Sequence, residues 1–214
     1  VKATAIVPVK RFREAKQRLA PGIDEGRRIA LAAAMLEDVL EAISAARTIE
    51  RTIVVSGDPA AQEIASAASA EVVPDPADEG HVEAALAGIA RAEAEGAGCV
   101  LLLPGDCPLV DPRELDRLLT GLPDPFVAVV PDRHGEGTNA LALSPPAAIR
   151  PAFGEGSCAL HVAAAREAGT PFAVEELPSL GLDLDTPADL VALTRELAGR
   201  DRRTAARTAR ALGI

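Results

Sequence analysis

Short apolar runs at residues 3–9, 51–56, 70–74 and 98–103 alternate with stretches of helical periodicity at 24–47, 58–69 and 80–95. Strands separated by helix-length segments must cross over and pair in parallel, which predicts β-α-β units around a central sheet flanked by helices. The punctuation agrees. An Asp opens the first helix, and Asp58-Pro59 and Asp111-Pro112 each supply a cap followed by a first-turn proline. The second half is less regular. Strands at 126–130 and 140–143, a turn from Gly135 to Asn139, a helix at about 158–168, a strand near 171–175 and a helix from Thr186-Pro187 to about 198 complete the pattern. The expected organisation is one α/β domain with a mostly parallel sheet over residues 1–199, followed by an Arg-rich helix or tail over 200–214. Five arginines against one Asp make that tail read as a solvated face.

Composition narrows the function. A chain of 214 residues can bury one sizeable α/β core, and its 48% hydrophobic and 25% charged content are ordinary for a folded domain. No apolar run approaches the roughly 20 residues of a spanning helix, and the start of the chain reads as a strand rather than a secretion signal, so the expectation is a cytoplasmic protein without a membrane partner. A net charge of −10 and the absence of Trp and Tyr argue against a nucleic-acid surface. The three cysteines, Cys99, Cys107 and Cys158, lie far apart with no C-x-x-C pair and read as reduced thiols. Against the acidic background, Lys10, Arg11, Arg13, Lys16 and Arg18 fall within nine residues opposed only by Glu14. That local excess calls for an anion.

The chemistry gathers around Leu101-Leu102-Leu103-Pro104-Gly105-Asp106-Cys107-Pro108-Leu109, where a buried strand runs into a glycine turn that presents one carboxylate. Ligands of open α/β sheets sit beyond the carboxyl ends of the strands, so Asp106 is the first catalytic candidate. Asp183-Leu184-Asp185 adds a second acidic group, whose i and i+2 side chains point the same way on an extended segment. Asp106, Asp183 and Asp185 without a matching set of His or Cys ligands suit Mg²⁺. The basic loop carries neither a dinucleotide fingerprint nor a P-loop, but Lys10, Arg11 and Lys16 can neutralise a triphosphate. Gly154-Glu155-Gly156-Ser157 before a helix offers backbone N–H groups and a hydroxyl to a phosphate or carboxylate, and Gly137-Thr138-Asn139 offers a second donor set. His161 reads as a packing residue on a helix, His134 as a turn residue and His81 as a helix opener, with no triad or zinc spacing among them.

Taken together, Ile6-Val7-Pro8-Val9-Lys10 with Ala15-Lys16 and Arg18-Leu19, Pro104 to Leu109, Gly137-Thr138-Asn139-Ala140-Leu141, Phe153-Gly154-Glu155-Gly156-Ser157 and Leu184-Asp185-Thr186-Pro187 resemble the 2-phospho-L-lactate and phosphoenolpyruvate guanylyltransferase family. The resemblance spans roughly residues 2–198. It implies a GT-A-like nucleotidyltransferase fold and a step in making the deazaflavin coenzyme F-420, in which GMP passes from GTP to a phosphorylated three-carbon acid and pyrophosphate leaves. It further implies that Asp106, Asp183 and Asp185 carry Mg²⁺ and that Thr138, Gly154 and Ser157 hold the acceptor. Lys10 and Lys16 would then act with Asp106 in catalysis, and Lys10, Arg11, Lys16, Glu83 and Asp106 would hold the nucleotide. One departure stands out. Where the family has Gly-Leu-Asn, this chain has His81-Val82-Glu83, with Glu83 a candidate for guanine N1–H and N2–H₂. A sugar-phosphate nucleotidylyltransferase, a glycosyltransferase and a non-catalytic nucleotide-binding protein are the alternatives on the same fold, and a homodimer is compatible with the sequence.

Overall fold

The computed structural model describes residues 2–20, 22–75, 77–199, 201 and 203–214. The elements run in the order β1 (Ala3–Val9), α1 (Glu25–Ala45), β2 (Ile49–Ser56), α2 (Pro59–Ala67), β3 (Glu71–Pro74), α3 (His81–Ala94), β4 (Val100–Leu102) and α4 (Pro112–Leu119). They continue with β5 (Phe126–Pro131), β6 (Thr138–Ser144), α5 (Ser157–Glu167), β7 (Phe172–Val174), α6 (Pro187–Gly199) and α7 (Ala206–Leu212). The strands form one sheet of order β3-β2-β1-β4-β6-β5-β7. Pairing is parallel except at β6, which runs antiparallel to both β4 and β5. That reversal brings the start of β6 to the same edge as the ends of β1, β2 and β4. The expected turn up to Asn139 is shorter than its spacing predicts, because Thr138 and Asn139 already belong to β6.

Side-chain alternation divides the core. Val7, Leu101, Ala140 and Ala142 pack under α1, α2 and α4, whereas Ile6, Leu102, Leu141 and Leu143 pack under α3 and α5. Successive strand residues point to opposite faces, so each buried strand feeds two helical layers. The far side of α1 receives a third cluster, in which Leu31 and Met35 meet Leu193 and Leu197 of α6 and Ala209 of α7. The Arg-rich terminus is therefore not simply a solvated face. Asp38 of α1 accepts from the Thr208 backbone N–H at 2.8 Å, and Arg207 pairs with Glu37 at 2.9 Å. Arg200 and Arg202 of that segment lie outside the described residues.

Gly88 sets how closely α3 approaches the sheet. A Cβ built there would stand 2.4 Å from Ile6 Cγ2 and 3.2 Å from Val55 Cγ2, on two strand residues that are fully buried. Alanine would gain up to about 1 kcal/mol of helix propensity, but β-branched neighbours in a closed core cannot step aside, and overpacking costs about 1–3 kcal/mol. Gly88→Ala is expected to lower the urea midpoint. A midpoint at or above wild type would contradict this packing account.

Candidate active site

The loop after β1 is fastened before it reaches the site. The Phe12 backbone N–H donates to Asp58 Oδ2 at 2.8 Å, and the Arg28 guanidinium donates to the Ala15 carbonyl at 3.3 Å. Lys16 then adopts a left-handed backbone with φ 57°, a conformation that costs a non-glycine residue on the order of 1 kcal/mol. Its side chain is only 7% exposed and runs inward, where Nζ donates to Asp106 Oδ2 and, at 3.0 Å, to Asp185 Oδ1. Burial alone would depress the ammonium, but Asp106 and then Asp185 more than offset it and hold the group above the ordinary lysine range. Lys16 is a fixed cation.

Asp106 follows β4 as expected, and Gly105 is glycine for closeness. A Cβ there would meet Leu36 Cδ1 at 3.3 Å and Val9 Cγ2 at 3.5 Å. The Asp183–Asp185 segment forms no strand, yet it alternates like one, with Leu182 and Leu184 buried and the two carboxylates turned the other way. Asp183 Oδ1 accepts from Asn139 Nδ2 at 3.2 Å. Burial first, then the charges of Asp106 and Asp185, raise its carboxyl above the usual range against that hydrogen bond. The three carboxylates thus sense one another. They do not close into a cage, for among the described residues no three His, Cys, Asp or Glu side chains form a ligand group, and the Lys16 ammonium stands between Asp106 and Asp185. Asp106 Oδ1 is nevertheless buried with no hydrogen-bond partner, so the site retains an unsatisfied oxygen.

The other expected residues distribute around this centre. At the start of α3, the His81 imidazole is held below the ordinary histidine range by partial desolvation of its ring, then by Lys10 and Lys16 against the carboxylates of Asp106 and Asp185. Lys10 is exposed at the end of β1. Arg11 lies instead beside Asp78, at 3.9 Å, next to Gly57, where a Cβ would fall 2.2 Å from the Asp75 carbonyl oxygen. Glu83 is half-exposed and 3.9 Å from Arg150. The ion pairs seen for these two residues are thus with Asp78 and Arg150. The cysteines are free and buried, and burial pushes the Cys99 thiol up to about 11.

Thr138 and Ser157 form a second half. Regular alternation would turn Thr138 to the face of Ala140 and Ala142. A register shift opposite Val130 and Pro131 re-aims it, so that Thr138 bonds to His161 of α5 while Asn139 bonds to the Leu180 carbonyl at 2.7 Å. The glycine turn before α5 is less open than its composition predicts. Ser157 N–H is taken by the Gly154 carbonyl at 3.2 Å and Cys158 N–H by the Glu136 carbonyl at 3.1 Å, which shifts the donor role toward the hydroxyls of Ser157 and Thr138.

Two residues absent from those motifs, Asp189 and Arg133, hold the site in place. Asp189 Oδ2 accepts from the backbone N–H of Asp185 and Thr186 at 3.1 and 2.6 Å and from Thr186 Oγ1 at 2.8 Å, and its other oxygen pairs with Arg133. Thr186-Pro187-Ala188-Asp189 is a capping box, and its S/T-x-x-D/E form was the available signal. His161, expected as a packing residue on a helix, is indeed buried at 0% exposure, but both ring nitrogens are hydrogen-bonded.

This fold places the chain among proteins built on a nucleotidyltransferase architecture. The fold is shared with a nucleotidyl transferase from Methanothermobacter thermautotroptrophicus (TM-score 0.66, 18% identity, 92% of this chain and 98% of that one). It is shared also with CMP:2-keto-3-deoxy-manno-octonic acid synthetase solved with CTP (TM-score 0.61, 15% identity, 92% and 99% covered). Sequence narrows the class. A family model described as "Guanylyl transferase CofC like" matches residues 3–213, and the chain belongs to that family. It is 49% identical to a phosphoenolpyruvate guanylyltransferase from Conexibacter woesei over 92% of this chain and 89% of that one. It is 37% identical to a 3-phospho-D-glycerate guanylyltransferase from Phenylobacterium zucineum, with 92% of each covered.

The Asp189 cap gives a pH test. Burial alone would raise its carboxyl, but hydrogen bonds from Thr186 and the Asp185 backbone, with Arg133 alongside, hold it below the ordinary 3.8. A depressed native value contributes stability above the unfolded-state value, and that contribution is lost as pH falls through the native one. The stability gap between wild type and Asp189→Asn, read by urea unfolding, is therefore expected to be full near neutral pH and to narrow below 3.8. A gap that widens on acidification would contradict the capping role.

Proposed function

We propose that this chain transfers GMP from GTP to phosphoenolpyruvate, as a Mg²⁺-dependent guanylyltransferase serving coenzyme F-420 synthesis. The observation that carries this reading is the buried Lys16 held between Asp106 and Asp185 at the sheet edge, with Asp183 bonded to Asn139 at the start of β6, next to Thr138. Similarity to the Conexibacter enzyme favours phosphoenolpyruvate over 3-phospho-D-glycerate.

The chemistry follows from charge. An oxygen of the acceptor's phosphate attacks the α-phosphorus of GTP, a new phosphorus–oxygen bond forms, and the bond to the β-phosphate breaks with its electron pair leaving on pyrophosphate. Both reactants are anions, so their approach requires neutralisation as well as orientation. Lys16, charged throughout the physiological range, and Lys10 offset the triphosphate. Thr138, Gly154 and Ser157 hold the acceptor. Its phosphate is already ionised near neutral pH, so no general base is needed.

Asp106, Asp183 and Asp185 would hold the ion, and the unpartnered Asp106 Oδ1 and all-oxygen donor set fit Mg²⁺. Bound there, it would supply positive charge to the reacting phosphate oxygens. Arg11 and Glu83 lie toward the nucleotide in this reading, with the Glu83 carboxylate accepting from the guanine edge.

Pyrophosphate release tests the assignment, measured with phosphoenolpyruvate, 2-phospho-L-lactate and 3-phospho-D-glycerate against GTP and ATP. GTP with phosphoenolpyruvate is expected to give the highest kcat/KM, and Asp106→Asn is expected to lower kcat at least about a hundredfold, roughly 2.7 kcal/mol. Sugar phosphates as better acceptors, or a near-normal kcat in Asp106→Asn at saturating Mg²⁺, would contradict it.

A further inference from the structure

His161 is buried in the second half of the site, where neither metal nor nucleotide is read. Its ring makes two hydrogen bonds. Nε2 lies 2.9 Å from the Ala152 backbone N, and Nδ1 lies 3.0 Å from Thr138 Oγ1. The ring of Phe153 packs edge-on against it at 5.2 Å and 74°, which fixes the ring plane. Ser157 precedes His161 by four residues on α5, so both belong to one helix face.

A backbone N–H can only donate, so Nε2 must accept from Ala152 and carry the lone pair. Burial pushes the His161 ring down to about 4, so it is neutral under ordinary conditions and its single N–H hydrogen sits on Nδ1. Nδ1–H then donates to Thr138 Oγ1. The threonine hydroxyl accepts on the protein side, and its own hydrogen must go elsewhere. Among the described residues the Thr138 hydroxyl forms no hydrogen bond other than that with His161.

We propose that His161 is a positioning residue, which fixes the Thr138 hydroxyl as a donor toward the carboxylate or phosphate of the acceptor acid. The proposal rests on the reading of Thr138 as an acceptor-binding residue. Carboxylate and phosphate oxygens only accept, so the direction of this one hydrogen decides the sign of the contact. With the opposite tautomer, Nδ1 would draw the Thr138 hydrogen inward, and the acceptor would face oxygen lone pairs. That tautomer is blocked because Nε2–H would confront the Ala152 N–H, leaving two buried donors without acceptors. The register shift in β6 aims the Thr138 side chain, and His161 aims its hydrogen.

The first test is isotope-edited NMR on the wild-type chain near neutral pH, correlating ring protons with ring nitrogens. Nδ1 of His161 is expected to be protonated and Nε2 bare; the reverse would overturn the proposal whatever the variants do. Kinetics supply the second. His161→Phe keeps the ring shape but neither nitrogen, and is expected to raise the KM for phosphoenolpyruvate at least about tenfold, the scale of one hydrogen bond to a charged group, with the KM for GTP nearly unchanged. His161→Asn retains an amide N–H near the Nδ1 position and is expected to recover most of that loss. Thr138→Val, measured alongside, tells the two readings apart. If it weakens the acceptor while His161→Phe does not, the role of Thr138 stands and that of His161 falls. If Thr138→Val leaves the acceptor untouched, the acceptor site itself is wrong and the proposal falls with it. Equal losses in His161→Phe and His161→Asn, or parallel loss for GTP, would mean that His161 serves only the fold.

Discussion

A single buried ammonium joins the two ends of this chain. Lys16 reaches Asp106, 90 residues on, and Asp185, 169 residues on, and its charge lies between theirs. Asp106, Asp183 and Asp185 repel one another, as the raised Asp183 carboxyl records, and that repulsion would splay the last loop away from the sheet. Burying a charge is costly unless it is paired and hydrogen-bonded, and Lys16 meets the condition only through both carboxylates at once. The left-handed backbone at Lys16, the Arg28 clasp on the loop and the Asp189 cap under Asp185 all serve to bring those charges into register.

The site divides at β6. On one side lie the charged groups, which in the proposed reading deal with the triphosphate; on the other lie neutral hydroxyls and a neutral imidazole, which in that reading suit an acceptor that must be oriented as well as attracted. The same strand supplies both, because the shift near Pro131 exchanges the faces that regular alternation would give Thr138 and Asn139. A parallel β6 would bring its other end to this edge and put neither residue there.

Much of this was legible in the sequence. Alternating apolar runs and helical stretches implied the sheet, Asp-Pro pairs marked helix starts, and the pairing of Asp106 with a later D-x-D implied a convergent acidic site; the structure brings Lys16 to that centre as well. Other features follow from tertiary geometry that spacing does not encode. The antiparallel turn of β6 and its irregularity depend on pairing partners, and so does the role of His161, which spacing reads as packing because its two hydrogen-bond partners are Thr138 and the backbone of Ala152. Arg11 and Glu83 resemble their neighbours in the basic loop and in α3, but Asp78 and Arg150 lie beside them at the rim. The docking of α7 was hidden for a similar reason. Arg207 looks solvated until Glu37, Asp38 and Glu41 of α1 are seen to face it.

The central claim is that Lys16 and Asp106 act as one buried unit that organises the edge of the sheet. A double-mutant cycle on unfolding free energy, with Lys16→Met, Asp106→Asn and the pair, isolates their interaction from the separate costs of each change. Residues in direct contact couple by about 0.5–3 kcal/mol, and a value above about 1 kcal/mol is expected here because the Lys16 side chain is nearly inaccessible to solvent. Strict additivity of the two substitutions would show that the ammonium and the carboxylate do not hold each other, and would contradict the account at its root.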